Sequence, residues 1–424
     1  AISTTTRPWP LAYARDNVVH LVVITLLAAY PGLHHVLVNS AVSPEMVALL
    51  PRVDTMVAVF YFGLFAMSFD FISGYTGYLS FGHAAFYGTG AYFVILVAND
   101  KIPFLAVQTP FMLLLVIAGI LGALLALGIG ALSFRLTGVY FAMITLGFSQ
   151  VLYVLMRDWD FVGNNPRDGI AVLEHPEGFE IGIPGIDALT VAIGQLTGET
   201  IDNFLGLGWQ FGTAEVSYYA IGLVVVICYF AMQRIIHSPF GRVMIAIREN
   251  EERAEAIGYN TFHYKLIAFA ISAFFAAVAG GLFAGFRRSV TPENAFFFLV
   301  TGDALLAAII GGFGTLAGPL YGRWFDESIA EFLSKEGAGG GLLPYLRDHL
   351  SEATFNTVLW KGMTVQNAIE TFLNGHAALY IGLLFVLFVL YVPNGLLGTI
   401  RERLGGPVAK QIGNRVESLF QRSD

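Results

Sequence analysis

Eight runs of mostly apolar residues, each of membrane-spanning length, govern what this chain can fold into: Val18–Leu37, Val53–Ile72, Leu79–Val97, Phe104–Leu132, Val139–Met156, Tyr218–Ile235, Leu266–Gly285 and Ala377–Val392. A bilayer core accommodates about 20 such residues as helix, and in lipid the backbone polar groups must be satisfied within the segment. The expected fold is all-α: a polytopic transmembrane helical bundle with about eight spans. A further apolar stretch, Phe296–Leu320, is broken by Gly311, Gly312, Gly314 and the Gly318-Pro319 pair. Together with Tyr321–Leu333 it reads as a re-entrant or interrupted element. Ala1–Arg15 lacks an apolar core followed by a small-residue cleavage site, so Val18–Leu37 is expected to be a retained span. Composition agrees, since only 13% of residues are charged. A net charge of -8 leaves no basic surface for a nucleic acid backbone. The sole cysteine, Cys228, excludes an intramolecular disulfide and a thiolate metal cluster.

The bias of lysine and arginine sets orientation. Arg234, Arg242, Arg248, Arg253 and Lys265 crowd one segment, and Arg401, Arg403, Lys410, Arg415 and Arg422 crowd the tail, so both are expected on the inner side. Counting back places Arg135, Arg7 and Arg15 inside as well. Arg287 and Arg288 then fall outside, and the tail lands inside only if Phe296–Leu333 does not cross as a single span. On this count residues 1–398 form one transmembrane domain with an inner segment 236–263 and external loops 157–216 and 334–376, followed by an inner tail 399–424. Most acids fall on the outer face, which suits a high-salt habitat or plain solvated loops.

Glycines dominate the strongest motif, Gly74-Tyr75-Thr76-Gly77-Tyr78-Leu79-Ser80-Phe81-Gly82-His83-Ala84-Ala85-Phe86-Tyr87-Gly88-Thr89-Gly90-Ala91-Tyr92. So many glycines cost helix propensity, and they serve either close helix packing or a helix break of the kind where transporters place polar contacts. Thr76, Ser80 and His83 are the polar side chains available there. The second break, Gly311 to Gly322, resembles the first only loosely. Small residues also recur at helical spacing at Gly119, Gly122, Ala123, Ala126 and Gly130, and at Gly280, Gly281 and Gly285, as packing surfaces require.

Between two spans, Ser238–Asn260 places Val243, Ile247, Ala254 and Ile257 on one face of an expected amphipathic helix, with Arg248, Glu249, Glu252, Arg253 and Glu255 around the rest. Gly258 is suited to end it in a left-handed conformation. Such a helix lies in the membrane interface or seats its apolar stripe in a partner's groove. No stretch fits the phosphate-binding pattern G-x-x-x-x-G-K-[ST], so this chain carries no ATP motor.

Five blocks in order resemble the LivM-type inner permease subunits of branched-chain amino acid ABC importers: Gly74–Tyr92, Leu136–Phe148, Ser238–Tyr264, Gly311–Gly322 and Val392–Gly398. The resemblance implies a substrate path near Gly77, Ser80, Phe81, Gly82 and His83, with Thr145 and Gly312. It implies that Arg242, Ile247, Arg248, Glu255, Ala256 and Gly258 belong to a coupling helix docked on an ATPase; Glu255, Ala256 and Gly258 match that family core only in part. It further implies two ABC ATPase subunits binding ATP and Mg, a related second permease of the LivH type, an external substrate-binding protein, and the lipid of a prokaryotic cytoplasmic membrane. No cofactor, catalytic residue or metal ligand is expected in this chain. The insertion Ser334–Gly375 departs from the pattern. Branched-chain amino acids and urea or short amides both remain open as substrates. A stand-alone ion-coupled transporter or channel would instead use Asp54 and Asp70, which lie near the two ends of the second span.

Overall fold

The computed structural model describes residues 25–34, 51–163 apart from 104 and 106–108, 165–172, 180–183, 186–192, 212–334, 357–360, 363–365, 367, 377–392 and 395–400. Helices dominate: α1 Val53–Thr76, α2 Ala84–Ala98, α3 Phe111–Ser133, α4 Val139–Asp158, α5 Thr213–Ile236, α6 Pro239–Glu249, α7 Glu251–Ala256, α8 Thr261–Arg287, α9 Pro292–Ala295, α10 Phe298–Gly311, α11 Gly318–Ser334, α12 Ala377–Tyr391 and α13 Gly395–Ile400. Among the described residues six helices are long and apolar enough to cross a membrane, Pro292–Gly311 being one of them. The expected span Val18–Leu37 is described only at 25–34, where it is helical, and 401–424 of the tail lie outside the described residues. Of the insertion Ser334–Gly375, the described portion is chiefly a two-stranded ladder, β5 Val358–Trp360 with β6 Met363–Thr364. Two further ladders, absent from the sequence expectation, pair β1 Ile170–Ala171 with β4 Ser289–Val290 and β2 Glu180–Ile183 with β3 Ile186–Ala192. The first ties the long 157–216 segment to the end of α8, where Val172 N–H donates to the Arg288 carbonyl at 2.9 Å.

The core is α1, buried on nearly every side, with α8, α5 and the α10–α11 pair around it. Aromatic side chains fill it: Phe65, Phe69, Phe71, Phe86, Tyr87 and Phe269 are fully buried. The small residues of α3 and α8 meet each other's elements, Gly119 against Phe274, Gly122 against Ala273 and Ala277, Gly281 against Leu115 and Gly285 against Phe111. Gly90 of α2 lies on the Ala277 carbonyl and Gly280 of α8 on the Tyr87 carbonyl, so close that a Cβ at either would overlap backbone. The outer faces of α3 and α5 are apolar, with Leu113, Val116, Ile120, Leu124, Leu223 and Ile227 exposed, the periodicity of helices that meet hydrocarbon or a partner helix.

Two expectations change, and a third gains its geometry. The span expected at Leu79–Val97 shortens to α2, because residues 77–83 leave the helix after Gly77, whose φ of +79° few side chains tolerate. The interrupted element at Phe296–Leu333 is a hairpin. Gly311 faces Gly318 and Gly322 faces the Ala307 carbonyl, so α11 doubles back along α10 and the pair returns to the side it entered from. Asp70, expected near the end of its span, lies inside α1, which continues to Thr76 and keeps that carboxyl fully buried.

The glycine seam makes a prediction. Gly280→Ala pushes a methyl into the Tyr87 carbonyl and costs about 1–3 kcal/mol, the usual range for overpacking. Gly128→Ala enters open space in α3 and stabilises by up to about 1 kcal/mol through helix propensity. Thermal unfolding of the two variants in mild detergent checks this; equal shifts would contradict the seam.

Candidate functional site

Two helix breaks, 77–83 and 312–317, leave backbone groups without intrahelical partners, and inside a bilayer each such group needs another. The chain supplies them from distant elements. Ala84 N–H, in the first turn of α2, donates to Thr301 Oγ1 of α10 at 2.8 Å. Gly314 N–H donates to Asp70 Oδ1 of α1 at 2.8 Å, and Leu316 N–H to the Tyr75 hydroxyl at 3.1 Å. Near the end of α1, the Gly74 carbonyl accepts Arg248 Nη1 from α6 at 2.5 Å. Gly395, opening α13, sits on the backbone of Gly312 with φ +70°, a contact that a side chain would block. Four of the five sequence blocks therefore converge at one end of the bundle: Gly74–Tyr92, Ser238–Tyr264, Gly311–Gly322 and Val392–Gly398.

The remaining block meets the first at Gly82, which lies against the Thr145 carbonyl of α4. Beside it His83 is fully buried, its Nε2 3.1 Å from Ser272 Oγ and 3.4 Å from Ser68 Oγ. Phe65, Phe69, Phe86 and Phe269 surround the ring with centroids 5.4 to 6.3 Å away. His83 Nδ1 and Ser80 Oγ are buried without a hydrogen-bond partner among the described residues. Of the residues implicated in a substrate path, Ser80, Gly82, His83, Thr145 and Gly312 are buried, Phe81 is half-buried and Gly77 is exposed beside Arg248. Gly82, His83 and Thr145 come together, whereas Gly312 belongs to the second break. Among the described residues Gly82, His83 and Thr145 form packed contacts.

The amphipathic segment is two helices and not one. Asn250 interrupts it with extended backbone, φ -164° and ψ 105°, and its Oδ1 accepts Arg253 N–H at 2.8 Å to cap α7, as Ser238 caps α6. Val243, Ile247 and Ala254 still meet in one buried cluster against Tyr264, so the apolar stripe is covered by the chain itself. Ile257 leaves the stripe and is 69% exposed. Gly258 has φ +94° and ends α7 as expected. The surface left open includes Arg242, Ile245, Ala246, Glu249, Glu252, Arg253, Glu255, Ala256, Ile257, Gly258 and Tyr259; Arg248 shares its exposure with the bond to Gly74, and Ile247 points inward.

A polar junction that the sequence reading missed fastens α7 to the spans. Glu251 accepts the Tyr78 hydroxyl at 2.6 Å and Thr261 Oγ1 at 3.0 Å, and pairs with the Lys265 ammonium. Lys265 is 4% exposed, donates to the Tyr78 hydroxyl at 3.0 Å and stands over the Tyr78 ring at 4.7 Å. Thr261 Oγ1 also reaches Glu255 Oε1 at 2.6 Å. The available signal was a lysine inside the first turns of an apolar run, which demands a partner. Burial raises the Glu251 carboxyl, but hydrogen bonds from Lys265 and Tyr78 and the ammonium charge outweigh it and hold the group below its ordinary 4.5.

A family model described as branched-chain amino acid transport system, permease component, matches residues 52–324. The high-affinity branched-chain amino acid transport system permease protein LivM of Escherichia coli (strain K12) is 30% identical over 264 residues, 62% of this chain and 59% of that protein. LivM of Salmonella typhimurium is 28% identical over the same length and coverage. LivH of Escherichia coli (strain K12) is 26% identical over 288 residues, 64% of this chain and 81% of that protein. The chain thus spans about six tenths of the length of the LivM relatives it matches. No solved structure gives a significant match.

A depressed carboxyl contributes stability that is full above its unfolded value and is lost as pH falls through its folded value. The Glu251 junction therefore holds from neutral pH down to the ordinary glutamate range and loosens below it. Protection of the amides across 251–258, taken relative to the intrinsic exchange rate at each pH, is expected to fall on acidification in the parent. In Glu251→Gln that protection is already low at pH 7 and does not change with pH. Identical exchange in the two proteins would contradict the junction.

Proposed function

The chain belongs to the family of permease components of branched-chain amino acid transport systems, and from that premise we propose that it is one permease subunit of an ATP-driven importer of branched-chain amino acids in a prokaryotic cytoplasmic membrane. Two separate ATPase subunits bind ATP and Mg, a related second permease completes the passage, and an external binding protein delivers substrate. The segment 236–263 faces the cytoplasm, as do the turn 312–317 and the tail, while 157–216 and 334–376 face outward.

One observation carries the reading: the polar element α6–α7 is hydrogen-bonded to the first break and to the end of α1, and α1 in turn accepts from the second break through Asp70 and Tyr75. Arg248 holds Gly74, whose neighbour Asp70 holds the hairpin turn at Gly314. Glu251 holds Tyr78 and Lys265 in and beside the first break. A push on Ile257 and Tyr259 by an ATPase is thereby delivered to the broken segments and not dissipated in a loose loop. Closure of the ATPases on ATP moves α6–α7, the helix groups rock, and the passage opens alternately to the two sides. Gly82 and Gly312 suit this motion, since backbone-to-backbone contacts there leave no side chain to interlock. A transporter acting alone with Asp70 as its working carboxylate fits less well, because Oδ1 of that group is committed to Gly314 N–H.

The reading is tested by co-expressing the chain with its neighbouring transport subunits, reconstituting the purified assembly in vesicles and measuring uptake. ATP-dependent leucine uptake that excess isoleucine suppresses and urea does not is the expected result. Uptake indifferent to ATP would overturn the reading. Ile257→Asp, on an exposed site with nothing in this chain to disturb, is expected to lower ATPase co-purification and uptake at least tenfold without changing thermal stability. Full uptake by that variant would move the docking surface elsewhere.

A further inference from the structure

Asp303 stands six residues into α10, about 8 Å of helix beyond Phe298 and about 12 Å short of Gly311 at 1.5 Å per residue. It is exposed at that depth. The opposite face of α10 is buried through Val300, Thr301, Ala304, Ala307 and Ala308, while Leu299 is 54% exposed and nothing lies within 4 Å of a Cβ at Gly302. An ionised side chain in mid-span turns to protein or to water and not to hydrocarbon. No described residue of this chain closes over it, so the Leu299, Gly302 and Asp303 face borders something other than lipid.

The charges around it are unbalanced. Across the hairpin, Arg323 of α11 bonds Asp326 at 2.7 Å and pairs with Glu327, and its guanidinium stacks 4.3 Å from the centroid of the Phe62 ring. Asp303 lies within electrostatic reach of all three. One guanidinium thus faces three carboxylates. Arg323 is already engaged by two of them, and Asp303 makes no hydrogen bond to the described residues. We propose that this face of α10 borders the water-filled passage and that the Asp303 carboxylate is where the α-ammonium group of an amino-acid substrate binds. The inference rests on the importer reading and adds to it the group that distinguishes a zwitterion from a neutral amide.

The test uses the assembled transporter with its binding protein, in membranes, with Cys228→Ala as the parent so that one introduced thiol is the only one in this chain. Leu299→Cys, one turn before Asp303 on the same exposed face and leaving that carboxylate in place, is treated with a membrane-impermeant, positively charged methanethiosulfonate. Modification is expected, slowed at least fivefold by leucine and unaffected by 4-methylpentanoate, which keeps the carboxylate and the branched tail but lacks the ammonium group. Leu124→Cys, on the apolar face of α3, is expected to stay unmodified. Absence of modification at position 299 overturns the placement on the passage, and modification that leucine does not slow overturns the binding role. Should Leu299→Cys fail to assemble, Asp303→Asn and Asp303→Glu decide: at least a tenfold rise in the leucine KM for the first and near-parent values for the second are expected, and equal KM values overturn the proposal. A parent that takes up no leucine with ATP sinks the importer reading itself; a transporting parent with an indifferent Asp303→Asn sinks the present inference alone.

Discussion

A bilayer gives an unpaired peptide group no water to bond with, and the two helix breaks of this chain must therefore find their partners inside the protein. Much else follows. The first break is closed by Thr301 and by the Gly82 contact with α4, the second by Asp70, Tyr75 and the seat of Gly395 on Gly312. Because the partners sit on α1, α4, α10 and α13, each break is tied to the helices around it. The same chemistry that makes irregular backbone tolerable in the membrane links the moving parts to one another.

The docking segment is fastened twice, and the two fastenings differ in kind. Arg248 to Gly74 is a charge-assisted bond to a backbone carbonyl. Glu251 with Lys265 and Tyr78 is an ion pair at the edge of the bundle, with the lysine almost fully buried against two aromatic rings. Removing one partner of such a pair leaves a buried charge and costs far more than the pair contributes. It therefore acts as a position marker, fixing where α7 sits on the first break. With Val243, Ile247 and Ala254 turned inward onto Tyr264, the segment packs against the bundle and leaves Arg242, Ile245, Glu255 and Ile257 exposed.

Much of this was legible in the sequence. Apolar run lengths located the spans, and glycine density located both breaks and the α3–α8 seam, because a missing Cβ shows in sequence as it does in packing. The grouping of five motif blocks pointed to a permease before any geometry was seen. What stayed hidden depends on long-range pairing. Asn250 was one polar residue in a polar face until its cap to Arg253 split the helix. Asp70 sat near the end of an apolar run until α1 continued past it. Lys265 showed only as a lysine in an apolar run, and Glu251 and Asp303 carry no local signature; the partners that give Glu251 its meaning lie 14 residues away at Lys265 and 173 away at Tyr78.

The central claim is that the docking segment and the hairpin turn move as one body when ATP binds. Spin labels at Glu249→Cys and Phe313→Cys, both exposed, in the Cys228→Ala background of the assembled transporter test it directly by distance measurement with and without a non-hydrolysable ATP analogue. The account predicts an unchanged distance between these two labels, while the distance from position 249 to a label at Leu124→Cys on α3 shifts between the two states. A change between 249 and 313 as large as that between 249 and 124 would contradict it.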